Sequence, residues 1–483
     1  MRCQPTEILL QIFNLISWSS TDMPSSSLSL LRLTWVCKKW RYTAIEDMTL
    51  WNIVWFRDKY PYDRSFAFVE RAGTAPLDIR INERHEEWYK KHMNDVDDSG
   101  EDGHPFTDEM MEMIMDRLLL KIRSIRTLVI MVDTWKPALV VLRKLRDCDD
   151  IPDRMERFEL HRTGRPWLWV GPMPEPQKRS ARVPFCDRRI LPRLTYACFN
   201  GLHIQWSVPQ LSNLYVLDMR RVPLEQCPLI YDFRDMLLGC PQLSKLALDA
   251  AGPQWVFENV AEINLPPVDL PCLATLVLGD FTVLYAIYVL NIFTAKNLID
   301  LTILNMVGFD YGPLIEHLTG RFPDIRVMTM YSFQLLDSIP NKRRMIKWLQ
   351  SMPNIEILKV AQLKKSLLQH FLEDANVWEE TTDLFAPKKP FVPLLPKLQI
   401  LEYQSMPFDC VSHLVEGREK IGAPLKRIYV ILPWFAQMKV AEKNWLAKMA
   451  QLFQLNPGMP NPEELELRRV WTKTSGIPLP YLY

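Results

Sequence analysis

Apolar positions recur along this chain with two different periods. Near the N-terminus the period is helical. Ile8, Leu9, Ile12, Phe13 and Ile16 stand at i, i+1, i+4, i+5 and i+8, one face of a helix. Pro5 suits the first helical position, where its missing N–H costs nothing, and Glu7 in the first turn faces the positive end of the helix dipole. After the Ser-rich stretch 17–27, Leu33, Val36, Cys37, Trp40 and Ala44 form a second amphipathic pattern, with Lys38, Lys39 and Arg41 on its wet side. Leu50 and Trp51 follow after a break. The pattern predicts a bundle of short helices of about fifty residues, near the size limit for independent stability, with apolar surface left for a partner.

Further along, one phrase repeats: Pro or Asn, an apolar residue, two positions, an apolar residue, one position, an apolar residue. "CPQLSKLALD" begins at Cys240, "LPCLATLVLG" at Leu270, "AKNLIDLTIL" at Ala295, "FPDIRVMTM" at Phe322, "MPNIEILKV" at Met352 and "LPKLQILEY" at Leu395. The first apolar positions, Leu243, Leu273, Leu298, Ile325, Ile355 and Leu398, are separated by 30, 25, 27, 30 and 43 residues. Weaker copies begin at Ile122, Met155, Ser212, Ala423 and Pro462. The alternating apolar positions predict strands. The stretches beginning at Tyr231, Tyr311 and Asn341 read as helices between them. A strand and a helix every 25 to 30 residues cannot bury an apolar side alone; stacked units can, which predicts a curved solenoid with strands on its inner wall.

Composition narrows the function classes. Apolar residues are 48% of the 483, enough for a large core, and 58 Lys and Arg stand against 57 Asp and Glu, so no net field draws the chain to nucleic acid or acidic lipid. Pro is frequent at 37 and Gly scarce at 16, which suggests short stops between regular elements. The nine cysteines are odd in number and scattered, without a CxxC, and read as reduced thiols of an intracellular protein, cytoplasmic or nuclear. The N-terminus lacks the pattern of a signal peptide. The apolar run Cys272–Phe293 is split by Gly279 and Asp280; a buried strand followed by a buried helix accounts for it better than a membrane span.

Chemistry-bearing motifs are few. His85, Glu86 and His92 have the wrong spacing for a zincin. The acidic stretch from Asn94 puts Asp95, Asp97, Ser99 and Gly100 where a calcium loop needs them, but Phe106 stands where the bidentate Glu should be. The Pro-rich, basic segment Gly171–Pro184 reads as an extended loop. GxSxG, GxxxxGK[ST] and GxGxxG are absent from the sequence. The expectation is a protein without its own catalytic site, cofactor or metal.

The N-terminal residues resemble the F-box. Pro5, Glu7, Ile8, Leu9, Ile12 and Phe13 match its first block, Val36, Cys37, Lys38, Trp40 and Arg41 its second, and Leu50 and Trp51 its third. Gln4 replaces the usual first Leu, and the intervening loop is longer than typical. The stretch Phe68–Ile81 looks like the segment after the F-box in a large fungal F-box family, and the later repeats resemble degenerate leucine-rich repeats. The resemblance implies an α/β chain, with an N-terminal helical F-box bundle over 1–57, a linker and first irregular repeat over 58–120, and an irregular leucine-rich-repeat-like solenoid over 121–475. It also implies docking to a Skp1-like adaptor of a cullin ubiquitin ligase through Pro5, Glu7, Ile8, Leu9, Ile12, Phe13, Val36, Cys37, Trp40, Leu50 and Trp51. The role it suggests is substrate receptor in ubiquitin conjugation; the alternatives are a scaffold with a divergent F-box and an unrecognised hydrolase. A protein target is expected on outward strand positions of the solenoid, among them Lys245, Thr275, Thr302, Thr329 and Lys359.

Overall fold

A computed structural model describes residues 5–18, 23–82, 107–163, 183–202, 204–206, 211–255, 265–376 and 390–475. His85, Glu86, His92, the acidic stretch from Asn94 and residues 171–182 of the Pro-rich segment lie outside the described residues. The protein is mixed α/β, with parallel strands alternating with helices. It divides into two compact units: residues 1–214 with 221–227, and residues 215–220 with 228–483.

The first unit opens on three helices, α1 Thr6–Trp18, α2 Met23–Val36 and α3 Lys38–Glu46. The second amphipathic pattern is two helices, not one. The chain breaks at Cys37, whose extended backbone (φ −161°, ψ 170°) ends one helix and whose thiol caps the next by accepting from the Trp40 N–H. Strands β1 Ile53–Phe56, β2 Leu77–Asn82, β3 Ile125–Val132, β4 Arg157–Arg162 and β5 Tyr196–Asn200 pair in that order, all parallel. Helices α4 Asp63–Arg71, α5 Asp108–Leu119 and α6 Trp135–Asp147 lie between them in the chain. Trp51 joins α3 to α4. Trp51 is fully buried, its indole donates to the Ala44 carbonyl at 2.6 Å, and its ring meets Phe68 edge-on at 4.8 Å.

The second unit carries β6 Val216–Arg220, β7 Lys245–Asp249, β8 Thr275–Gly279, β9 Asp300–Leu304, β10 Val327–Tyr331, β11 Ile357–Ala361, β12 Ile400–Gln404, β13 Arg427–Ile431 and β14 Gln451–Leu455. Each pairs with the next in parallel and in register. Its helices include α7 Ile230–Leu238, α8 Val283–Leu290, α9 Gly312–Leu318, α10 Ile339–Gln350, α11 Lys365–Gln369, α12 Phe408–Lys420, α13 Val440–Met449 and α14 Pro462–Ser475. In-register pairing stacks like residues across strands. Leu246, Leu276, Leu301, Met328, Leu358, Leu401 and Ile428 make one buried row. Each such side chain contributes roughly 1.5–3 kcal/mol by leaving water. The repeat-marking residues Leu243, Leu273, Leu298, Ile325, Ile355 and Leu398 are all buried, each two positions before its strand. The Cys272–Phe293 run contains strand β8 and helix α8, and among the described residues no helix is long and apolar enough to cross a membrane.

The strands also end alike. Ala250, Asp280, Asn305, Ser332, Gln362 and Ser405, each directly after a strand, have φ between +40° and +54°. The first four still donate their N–H to the neighbouring strand, as Asn305 does to the Tyr331 carbonyl at 2.9 Å. A left-handed residue therefore closes the ladder and turns the chain off the sheet.

Two expectations need correction. The weak copy at Pro462 is helix α14, not a strand. Pro at its start, Glu463 and Glu464 in the first turn and an alternation of Glu, Leu and Arg, all good helix formers, explain why. Strand β14, adjacent to β13, lies in a segment where no repeat copy was expected.

Candidate functional site

The N-terminal helices sort their motif residues into two groups. Leu9, Phe13, Leu50 and Trp51 are buried, and Phe13 packs on the half-buried Trp40 ring at 5.1 Å. All four were expected to meet an adaptor; in the structure they are core residues, and the helices use them to hold together. Pro5, Glu7, Ile8, Ile12, Val36 and Cys37 are exposed. Ile8 and Ile12 share one face of α1 with Leu15, which is 71% exposed, and Trp35 and Val36 at the end of α2 are 68% and 59% exposed. Tyr42 and Ile45 add a further exposed apolar pair on α3.

In the second unit, alternate strand positions form the sheet face opposite the buried leucine row. One row reads Thr275, Asp300, Val327, Ile357, Ile400 and Arg427, and the next reads Val277, Thr302, Thr329, Lys359, Glu402 and Tyr429. This face is not open along its length, because α14 lies on it. Leu467 packs against the cluster of Val327, Ile357, Ile400 and Tyr429. Arg468 donates to Asp300 Oδ2 at 2.5 Å and to Glu464 Oε1 at 2.8 Å. Glu464 also pairs with Lys359, and Lys359 is 3.7 Å from Glu402. Asn461 ties the helix start to the face: its side-chain amide donates to Glu402 at 2.9 Å, and its oxygen accepts the Glu464 N–H at 2.9 Å. Glu463 accepts from the Tyr429 hydroxyl at 2.8 Å and pairs with Arg427.

Asp300, Glu402, Asn461 and Glu464 are buried, so this is a low-dielectric network. Burial raises Glu464, but Lys359 and Arg468 outweigh it and hold the carboxyl below its ordinary value. Burial lifts Asp300 and Glu402 above theirs, against the pull of Arg468 and of Lys359 respectively. Burial lowers Lys359, and Glu464 and Glu402 more than restore it.

The positions expected to meet a target are therefore differently placed. Thr275 is buried, with its hydroxyl lacking a hydrogen-bond partner in the structure, and Lys359 is engaged by Glu464 and Glu402. Lys245 is half-buried, with its ammonium pushed down by burial and drawn back by Asp218. Thr302 and Thr329 remain half-exposed. The alternation rule located this face; it could not show that a helix of the same chain covers it. Asp300, Asn461, Glu464, Leu467 and Arg468 escaped sequence reasoning. Their one local signal is Glu464 four residues before Arg468, the favourable order for a helical ion pair.

Among the described residues, the first unit holds one cluster of metal-ligand types: Glu159, His161 and Cys198, with ligand atoms within 4.8 Å of one another. Arg157 bonds Glu159 at 2.5 Å and His161 bonds it at 2.9 Å. Burial works against the Glu159 charge, yet these partners hold its carboxyl down to about 2. A guanidinium already stands on the carboxylate a metal would need, so the cluster reads as a closed ion-pair group.

No protein-family model matches this chain, and no curated protein matches it.

Proposed function

We propose that the protein is the substrate-recognition subunit of a Skp1–cullin–F-box ubiquitin ligase. The N-terminal helices dock on the adaptor, and the leucine-rich-repeat-like solenoid of the second unit holds a protein target. The observation that carries this reading is the division of labour within the three-block motif. Its large residues Phe13 and Trp51 build the core, while Ile8 and Ile12 stay exposed beside Leu15. A small bundle that leaves such side chains in water has surface to give to a partner, and interface energy concentrates in a few apolar anchors. The contribution to ubiquitination is proximity: holding a target near a loaded enzyme raises its effective concentration without bond chemistry on this chain.

The test is capture of a Skp1-type adaptor by the full-length chain. Ile8→Asp with Ile12→Asp should abolish it, since each anchor lost costs about 2 kcal/mol. Because both side chains are exposed, circular dichroism and melting of the variant should match wild type. Undiminished capture by a folded double variant rejects the assignment. A second reading, a non-catalytic scaffold with a divergent F-box, draws on Gln4 in place of the usual Leu; a wild-type chain that captures no adaptor selects it.

A further inference from the structure

We propose that α14 is a displaceable strap: it occupies in cis the place where this strand face takes an amphipathic target helix carrying an acid, an apolar residue and a base at the spacing of Glu464, Leu467 and Arg468. The inference rests on the receptor reading above, and it names the kind of partner that face accepts.

Three observations lead to it. The bonds that join Glu463, Glu464 and Arg468 to the strands run from side chain to side chain, whereas the strands are hydrogen-bonded to one another through their backbones. The ladders of β9 to β13 therefore do not need the helix. Next, α14 uses one face only: Leu465 and Val470 are each 44% exposed, and Glu466 pairs with Arg469 at 3.2 Å in solvent. Last, the face beneath carries Asp300, Lys359 and Glu402 beside the apolar cluster of Val327, Ile357, Ile400 and Tyr429. A partner that replaces the helix without a base over Asp300 or an acid over Lys359 leaves a charge buried and unpaired, which is heavily penalised. The face thus selects for the charge order that α14 itself displays.

The probe is a fluorescein-labelled peptide of residues 460–475, titrated into the full-length chain and into a full-length Leu467→Asp, Arg468→Glu variant whose own strap is disabled. The variant should bind the peptide at least tenfold more tightly than wild type, and a peptide carrying Arg468→Glu should lose at least tenfold on the variant. Equal binding by both chains, or no binding by a variant whose β9–β12 amides keep native exchange protection, overturns the proposal. So does loss of that protection in the variant, which would make α14 an integral part of the fold. A measurement on the wild-type chain needs no variant: α14 amides should exchange at least tenfold faster than those of β10 and β11, and equal protection overturns the strap. Adaptor capture is read on the same preparations. Its absence would sink the receptor reading while the peptide result stood by itself.

Discussion

At the scale of single residues, the largest polar commitment in the second unit is Arg418. Its side chain is fully buried on α12 and donates to four backbone carbonyls: Ala423 at 3.0 Å, Leu394 at 2.7 Å, Leu395 at 3.0 Å and Leu398 at 3.5 Å. Burial pushes the guanidinium down to about 10, so it is still charged at neutral pH. The rigid fork of donors matches this fan of acceptors, and a lysine ammonium cannot reach it in the same way. Arg418→Leu strands several buried carbonyls and should cost about 3–5 kcal/mol in chemical denaturation, with Arg418→Lys recovering less than half. A loss below about 1 kcal/mol for the leucine variant would contradict this account. Nothing in the local sequence "EGREK" distinguishes Arg418 from an ordinary surface arginine. The carbonyls it serves lie mostly some twenty residues away, and folding alone brings them together.

At the scale of elements, the ion network under α14 makes a sharper statement. Lys359→Met leaves Glu464 and Glu402 buried beside a lost cation, and Glu464→Leu leaves Lys359 and Arg468 with one anion fewer. Each single variant should weaken the hold of α14 on the strands by about 3 kcal/mol, read from the exchange of its amides. The double variant replaces the pair with two apolar side chains and leaves Arg468 on Asp300 and Asn461 on Glu402. It should cost less than the sum of the singles by about 1–3 kcal/mol. A double-mutant cycle with no coupling would show that the helix is not held through this pair. The helices and strands themselves were largely readable. Strands β7 to β12 begin two residues after the apolar positions that mark the repeat, because a half-buried strand needs alternation and a helix cannot supply it. Helix α14 was misread because Leu465 and Leu467, two apart, satisfy a short strand pattern as well as a helical one. The left-handed residues after the strands were not readable. Of Ala250, Asp280, Asn305, Ser332, Gln362 and Ser405, only Asp and Asn carry a local preference for that conformation.

At the scale of the whole molecule, the proposed docking and holding functions rest on different units, and this separates their failures. The Ile8→Asp, Ile12→Asp variant should lose adaptor capture yet bind the 460–475 peptide as wild type does, and the strap-disabled variant should capture adaptor as wild type does while binding the peptide at least tenfold more tightly. Fluorescence anisotropy and adaptor pull-down on both proteins check this, and a variant that loses both functions would tie the units together. The sequence by itself determined the periodicities: a helical N-terminus, then parallel strands separated by helices, with the residues of the buried leucine rows assigned correctly. Those features follow from the geometry of a few neighbouring positions, and local spacing encodes them. Tertiary structure decided which apolar motif residues face inward, as with Leu9 and Phe13 against Ile8 and Ile12. It also decided that the strand face is covered and which charges are buried. These depend on pairs such as Asp300 with Arg468, 168 residues apart. Spacing along the chain carries no information about such a pair; the chain has to fold before the low dielectric that gives it its strength exists.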